Sequence, residues 1–141
     1  FAYLRELVPR RFPLHALGVG HPAHVATCVR LGYALLDSVM PTRDARHGRL
    51  YARNGPAGLV DDWCSYLYIG DNRHIKAAGP ASPYCDCPAC TRYSLGYLHQ
   101  LFKVGDGLYQ RLATLHNLRF MMQLMLRLQE ERTAQDEESA G

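Results

Sequence analysis

The amino-acid sequence predicts a mixed α/β chain, a parallel strand–helix–strand unit followed by a helical region around a cysteine cluster. Three observations carry this: two short apolar runs flanking one helix-length segment, Cys85, Cys87 and Cys90 close together, and a long periodic stretch toward the C-terminus. Residues 14–20 read as a short buried strand ending in a glycine turn, Gly18-Val19-Gly20. His21-Pro22 follows, and proline suits a first helical turn because the N–H it lacks has no partner there anyway. Val25, Cys28 and Val29 recur at helical spacing, and Gly32 supplies a stop. Residues 33–40 are apolar apart from Asp37 and Ser38 and end at Pro41. A strand, a helix and a strand of these lengths form a parallel βαβ unit with a right-handed crossover. Near-continuous apolar runs further predict strands covered on both faces.

Residues 51–83 are punctuated by Gly55, Pro56, Gly58, Gly70, Gly79 and Pro80 and read as irregular or hairpin-like, with a strand over 63–69. Residues 91–104 read as a helix bearing Tyr93, Tyr97, Leu98 and Leu101 on one side, broken by Gly105-Asp106-Gly107. Helix resumes at Leu108, with Leu118, Met121, Met122, Met125 and Leu128 as an apolar stripe. The tail from Thr133 is polar and expected to be frayed.

Composition bounds the function classes. At 141 residues, 48% hydrophobic and 21% charged, the chain fits a soluble globular protein. A single domain of this size buries about 70% of its unfolded surface. No apolar run approaches the roughly 20 residues that cross a bilayer. The chain opens on Phe1-Ala2-Tyr3, without Met, a basic start or a signal-like run, and reads as a processed or partial cytoplasmic chain. Sixteen Lys and Arg against thirteen Asp and Glu give +3. Asp136-Glu137-Glu138 draws part of the acid into the tail, so the body is more basic, and Arg43, Arg46 and Arg49 recur three apart. That balance permits a phosphate-bearing partner without requiring one.

Five cysteines with three clustered around Pro88 argue against a disulfide framework and for metal binding in a reducing compartment. Thiolates are soft anionic ligands, and Zn²⁺ takes four donors in a tetrahedron. Cys-x-Cys-x-x-Cys offers three sulfurs on one loop and leaves one vertex for a residue from elsewhere. By spacing alone, His116 and His99 are nearly even candidates. Cys28 and Cys64 read as small buried apolar residues.

Asp37 interrupts an apolar strand near its C-terminal end, where parallel α/β folds carry their chemistry. A buried carboxylate there costs several kcal/mol unless it is paired or functional. Adjacent parallel strands place Asp37 and the Gly18-Val19-Gly20 turn on one rim, where a flat substrate can approach the backbone. Capping a turn or pairing with an arginine would account for Asp37 equally well. The arginines that follow fit phosphate oxygens as forks, although arginines three apart are often a solvated helix face.

Several segments together resemble the tRNA-guanine transglycosylase (queuine tRNA-ribosyltransferase) family. They are Leu17-Gly18-Val19-Gly20-His21-Pro22, Asp37-Ser38-Val39-Met40-Pro41-Thr42-Arg43-Asp44-Ala45-Arg46-His47-Gly48, Cys85-Asp86-Cys87-Pro88-Ala89-Cys90, Tyr93-Ser94, Tyr97-Leu98-His99 and Leu115-His116-Asn117-Leu118. The resemblance implies the C-terminal part of a (β/α)8 TIM barrel, its last two strands, joined to a zinc-binding subdomain. It implies Asp37 as the nucleophile, and Leu17, Gly18 and Gly20 against the exchanged base. Thr42, Arg43 and Arg46 fall on the tRNA anticodon loop, and Cys85, Cys87, Cys90 and His116 on a structural Zn²⁺. The activity implied is exchange of guanine at the wobble position for a 7-deazaguanine through a covalent aspartyl-ribosyl intermediate. His21 stands where many members have lysine. The family's first six strands, with its second catalytic aspartate, would precede this chain.

The segments expected are 1–52 as the βαβ unit, 53–84 as a connection, 85–132 as the zinc subdomain and 133–141 as a disordered acidic tail. The partners expected are tRNA, guanine and a 7-deazaguanine, with a second copy or an N-terminal half. Two alternatives remain at this level. One is a non-catalytic zinc-stabilised module that dimerises or presents arginines to RNA. The other is a related base exchanger acting on DNA.

Overall fold

In a computed structural model that describes residues 1–56, 58–59 and 62–140, the chain mixes helices with short strands. Ala57, Val60 and Asp61 of the connection, and Gly141 of the tail, lie outside the described residues. Contacts gather into two units, Phe1–Met40 with Met122–Gly141, and Pro41–Met121.

The first unit begins with helix α1 (Ala2–Leu7) and continues through strand β1 (His15–Leu17), helix α2 (Pro22–Arg30) and strand β2 (Leu35–Asp37). The apolar runs pair in parallel as expected, with His15 opposite Leu35, Ala16 opposite Leu36 and Leu17 opposite Asp37. Pro22 opens α2, and His21 caps it by accepting the Ala23 N–H at Nδ1 (3.3 Å). Gly32 follows α2 at φ +90°, a conformation that side chains bearing a Cβ rarely adopt. Ala16, Cys28 and Tyr33 form the core beneath, with Leu14, Val19, Leu31 and Leu36 packed against it. The other side of this sheet is open. Leu17 and Leu35 are 74% and 58% exposed, so coverage on both faces, which the apolar runs predict, does not occur. The sheet has two strands, and among the described residues no further strand pairs with them.

The second unit contains helix α3 (Met40–Arg46), strands β3 (Arg49–Arg53) and β4 (Cys64–Tyr68), and a 3-10 turn at Asn72–His74. Helices α4 (Pro88–Arg92) and α5 (Leu95–Lys103) follow, then helix α6 (Gly107–Ala140), which contributes its first part here. β3 and β4 are antiparallel, with Arg49 opposite Tyr68 and Arg53 opposite Cys64. This ladder draws residues 49–52 to the second unit rather than to the βαβ unit in which they were expected. The single helix predicted over 91–104 is two, because Ser94 takes an extended conformation and its hydroxyl caps α5 through the Tyr97 N–H (3.1 Å). The core joins Leu50, Ile69, Leu98, Leu101, Tyr109 and Leu112.

Helix α6 departs from the sequence reading in two ways. Its buried stripe is Tyr109, Ala113, His116, Asn117, Phe120, Leu124 and Leu128, while Leu118 and Met122 are exposed. The polar His116 and Asn117 are fully buried, so an apolar count alone misplaced the phase. The expected disordered tail is also helical, to Ala140. No proline or glycine interrupts residues 108–140, and Glu, Gln, Arg and Ala dominate its end. Glu131 also receives a forked Arg30 contact (2.9 Å).

The outer edge of β3 needs partners that no third strand provides among the described residues. Asn117 supplies most of them. Its Oδ1 accepts the Tyr51 N–H (3.0 Å), and its Nδ2 donates to the carbonyls of Pro41 (2.9 Å) and Arg49 (3.0 Å). Truncating it strands several buried backbone groups at once, each worth about 1–3 kcal/mol. Asn117→Ala is therefore expected to lower unfolding stability by about 3 kcal/mol or more, read as a reduced denaturant midpoint. A change below about 0.5 kcal/mol would mean that this edge is satisfied in another way.

Candidate functional site

The metal centre is built by the loop before α4 and by α6. Pro88 opens α4 and fixes the chain just after Cys87, so the three cysteines line one tight turn. Cys85, Cys87, Cys90 and His116 bring one ligand atom each within 4.8 Å of one another. Cys87 Sγ lies 3.5 Å and Cys90 Sγ 3.3 Å from His116 Nδ1. Donors around a tetrahedral Zn²⁺ at about 2.0–2.3 Å stand at comparable separations. The fit extends to the second layer. His116 Nε2 donates to the Tyr51 carbonyl (2.7 Å), which leaves the Nδ1 lone pair facing the sulfurs. The four residues form a metal-binding site whose donor set suits structural zinc. Three thiolates and an imidazole leave no open vertex for chemistry.

Hydrogen bonds from Cys85 and Cys90 lower the Cys87 thiol below its ordinary range, while contacts with Cys85 and Cys87 raise Cys90 above it. Burial pulls the His116 imidazole down, but its bonds to Cys85 and Cys87 and to the Tyr51 carbonyl raise its pKa to about 10, so a metal ion bound at Nδ1 takes the place of a proton there. Asp86, between two of the ligands, receives a fork from Arg119 at 2.6 Å on each oxygen, and that contact holds its carboxyl below the usual range. The competing candidate, His99, is committed elsewhere: its Nδ1 donates to the Ile69 carbonyl (2.6 Å). Cys28 is buried as expected, whereas Cys64 is half-buried on β4.

The carboxylate site lies in the first unit. Asp37 ends β2 opposite Leu17 and is exposed, with 62% of its side chain accessible. Its Oδ1 accepts from His15 Nε2 (3.0 Å) and from the Gly18 N–H (3.3 Å). The nitrogen that donates must carry the ring proton, which fixes the tautomer. Gly18 sits at φ +71° with open space where a Cβ would point. Gly20 is closed in, since an added Cβ would meet Met40 Cβ at 2.8 Å as well as Ser38. Leu17, Gly18 and Asp37 are therefore brought together, with Gly20 buried behind them. Sequence reasoning missed His15. The signal was there: it lies two residues before Leu17, hence on the same strand face.

Arg43 and Arg46 are exposed on α3, with Thr42 half-buried beside them. Arg49 does not continue that helix face. Gly48 takes φ +87° and turns the chain into β3.

Zinc that contributes folding free energy predicts a linked loss of metal and structure. Cys87→Ser is expected to abolish stoichiometric zinc and lower the melting temperature. Acidification is expected to release zinc from the wild type, because protons compete for the same lone pairs. Full retention of one zinc by the variant, by elemental analysis, would remove Cys87 from the ligand set.

Comparison with protein families matches residues 1–136 to the family described as Queuine tRNA-ribosyltransferase. A protein of that name from Rickettsia akari is 35% identical over 128 residues, 91% of this chain and 33% of the relative. One from Novosphingobium aromaticivorans is 39% identical over 120 residues, 85% of this chain and 29% of the relative. One from Granulibacter bethesdensis is 41% identical over 119 residues, 84% and 29% respectively. The chain spans about a third of the length of the curated relatives it matches. A family match over nearly every residue, joined to a cysteine–histidine cluster of zinc-site geometry, shows that the chain belongs to the queuine tRNA-ribosyltransferase family.

Proposed function

We propose that this chain supplies the nucleophile and the last two strands, β1 and β2, of a (β/α)8 barrel that exchanges a guanine base of tRNA for a 7-deazaguanine. The observation that carries this reading is the Asp37 carboxylate, held at the C-terminal end of a parallel strand beside Gly18 in a chain of this family. Both of its hydrogen bonds fall on Oδ1, which leaves Oδ2 without a bond from either donor. His15 acts as a positioning residue that turns this oxygen toward the substrate.

In the first step a carboxylate oxygen of Asp37 attacks the anomeric carbon of the wobble nucleotide. The glycosidic C–N bond breaks, and the departing guanine takes up a proton at the nitrogen it leaves through. In the second step that nitrogen's counterpart in a 7-deazaguanine attacks the same carbon, gives up its proton, and restores the free carboxylate. Two inversions retain configuration, as in retaining glycosidases. The target nucleotide leaves its stack to reach the strand ends. Leu17, Gly18 and Gly20 are assigned to the base, and Thr42, Arg43 and Arg46 to the anticodon loop. Bound zinc holds the second unit's fold and takes no part in the exchange.

The exposed Leu17 and Leu35 on the open side of β1 and β2 support a partner that completes the barrel, either the remaining strands of a longer protein or a second polypeptide. Among the described residues no helix is long and apolar enough to cross a membrane.

The reading is tested with labelled guanine and tRNA, the chain being joined to the barrel portion that its relatives carry. Asp37→Asn is expected to lower incorporation by about a thousandfold or more, as loss of a nucleophile does, with zinc content unchanged. Undiminished exchange would take the nucleophile's role from Asp37. Incorporation into DNA and not tRNA would favour the DNA exchanger, and none into either strand would favour a binding module.

A further inference from the structure

A second polar site lies in the Pro41–Met121 unit, away from the metal ligands. Arg43, Asp44, His47, Arg49 and Tyr68 line an open cleft of about 320 Å³. We infer that this cleft seats one backbone phosphate of the nucleic-acid strand, held by Arg49, Arg43 and the Tyr68 hydroxyl. The inference rests on the reading above that RNA is the substrate. It adds the Tyr68 hydroxyl, which neither the sequence motifs nor the family resemblance assigns to binding, and it separates Arg49, which the resemblance leaves unassigned, from the helix-face arginines as a fixed fork.

Arg49 is the reason. A surface arginine ordinarily loses much rotamer freedom when it binds a ligand. This one is already ordered. Its Nε and Nη2 donate to Tyr68 Oη (3.0 and 2.6 Å), and its guanidinium carbon stands 5.2 Å from the ring centres of both Tyr66 and Tyr68. The cross-strand pairing of Arg49 with Tyr68 imposes this arrangement. Its Nη1 lies 3.6 Å from Asp44 Oδ2. Guanidinium carries five N–H donors. These contacts leave one N–H on each terminal nitrogen, the fork that a phosphate accepts bidentately. Tyr68 Oη accepts both Arg49 bonds, so its own hydrogen can serve as a further donor.

The remaining lining groups are compatible with an anion. Asp44 is the one carboxylate, and it is buried and occupied: it accepts the Tyr51 hydroxyl (2.9 Å) and lies 3.9 Å from Arg43 Nε. Two guanidinium charges therefore face one internally paired carboxylate. His47 Nδ1 donates to the Arg43 carbonyl (2.8 Å), which ties the two residues together at the end of α3.

The test measures binding of a labelled anticodon stem-loop RNA, over a series of salt concentrations, to the chain joined to the barrel portion that its relatives carry. Arg49→Gln is expected to weaken binding about tenfold and to reduce the slope of log affinity against log salt by about 0.7–0.9. Tyr68→Phe, which keeps the ring but frees the guanidinium, is expected to weaken binding about threefold with the slope unchanged. Arg49→Lys should keep the slope and lose the fork, and it decides the matter if Arg49→Gln fails to fold. Melting curves and zinc content confirm the fold of each variant. Wild-type affinity and slope in folded Arg49→Gln and Tyr68→Phe, with loss in Arg43→Gln, would overturn the cleft and leave the RNA reading standing. A completed wild-type protein that binds no RNA overturns both. Displacement of the RNA by inorganic phosphate at concentrations matching the RNA's own affinity would mark a free-anion site, which also overturns the strand seat.

Discussion

The tautomer of His116 is the constraint on which the second unit depends. With its Nε2–H given to the Tyr51 carbonyl, the ring has one lone pair left, and that pair points at the sulfurs. The edge of β3 and the metal centre are thus a single arrangement. Asn117, next in sequence, closes the same edge through Tyr51, Arg49 and Pro41. Arg119, on the same helical turn, grips Asp86 between two cysteines. Exposed forks of that kind contribute little stability by themselves. Their consequence here is positional, because Asp86 cannot move without moving Cys85 and Cys87. A metal ion in this set would meet ligands already placed by backbone hydrogen bonds.

That closure turns the proposed chemistry away from the metal centre and toward the carboxylate of the first unit. Four protein donors satisfy a tetrahedral ion, so a substrate has no vertex to occupy. Among the described residues of the first unit, Asp37 has the features a nucleophile needs: exposure, a strand-end position, and donors on one oxygen. The donors matter because a carboxylate that rotates freely presents either oxygen at random. His15 and Gly18 remove that freedom: His15 opens the strand paired with the one that carries Asp37, and Gly18 follows that strand's end. The geometry follows from register alone, since Leu17 opposite Asp37 puts His15 on the same face one step back.

The parts legible in the sequence were those with chemical punctuation. Pro22, Gly32 and Pro88 mark boundaries because each has a backbone property that no other residue shares, and the helices begin or end beside them. The cysteine spacing named the metal loop for a similar reason. What failed to show was anything decided by burial of polar groups. The α6 stripe was misplaced because His116 and Asn117 are buried for their hydrogen bonds, while Leu118 and Met122 face outward. The tail read as frayed because its composition is polar, yet helix propensity and the Arg30–Glu131 pair act through the backbone and the surface. Asp37 was legible as a rim carboxylate because it interrupts an apolar strand at its C-terminal end. It is exposed because a two-stranded sheet covers only one of its faces.

The three arginines at equal spacing show how far backbone conformation governs what a side chain can do. Arg43 and Arg46 lie on α3, where three-residue spacing places both on the helix surface, and both are exposed. Had the helix continued, Arg49 would have joined them as a third solvated cation. Gly48 at φ +87° ends it instead, and an added Cβ there would press on Phe102 at 3.0 Å. The turn delivers Arg49 to a strand opposite Tyr68, where two tyrosine rings and a buried carboxylate fix its guanidinium. A mobile cation attracts a phosphate from any direction, whereas a fixed fork discriminates by position. A strand bound at one such point is held in register as well as attracted, which is what an enzyme acting on a single nucleotide requires.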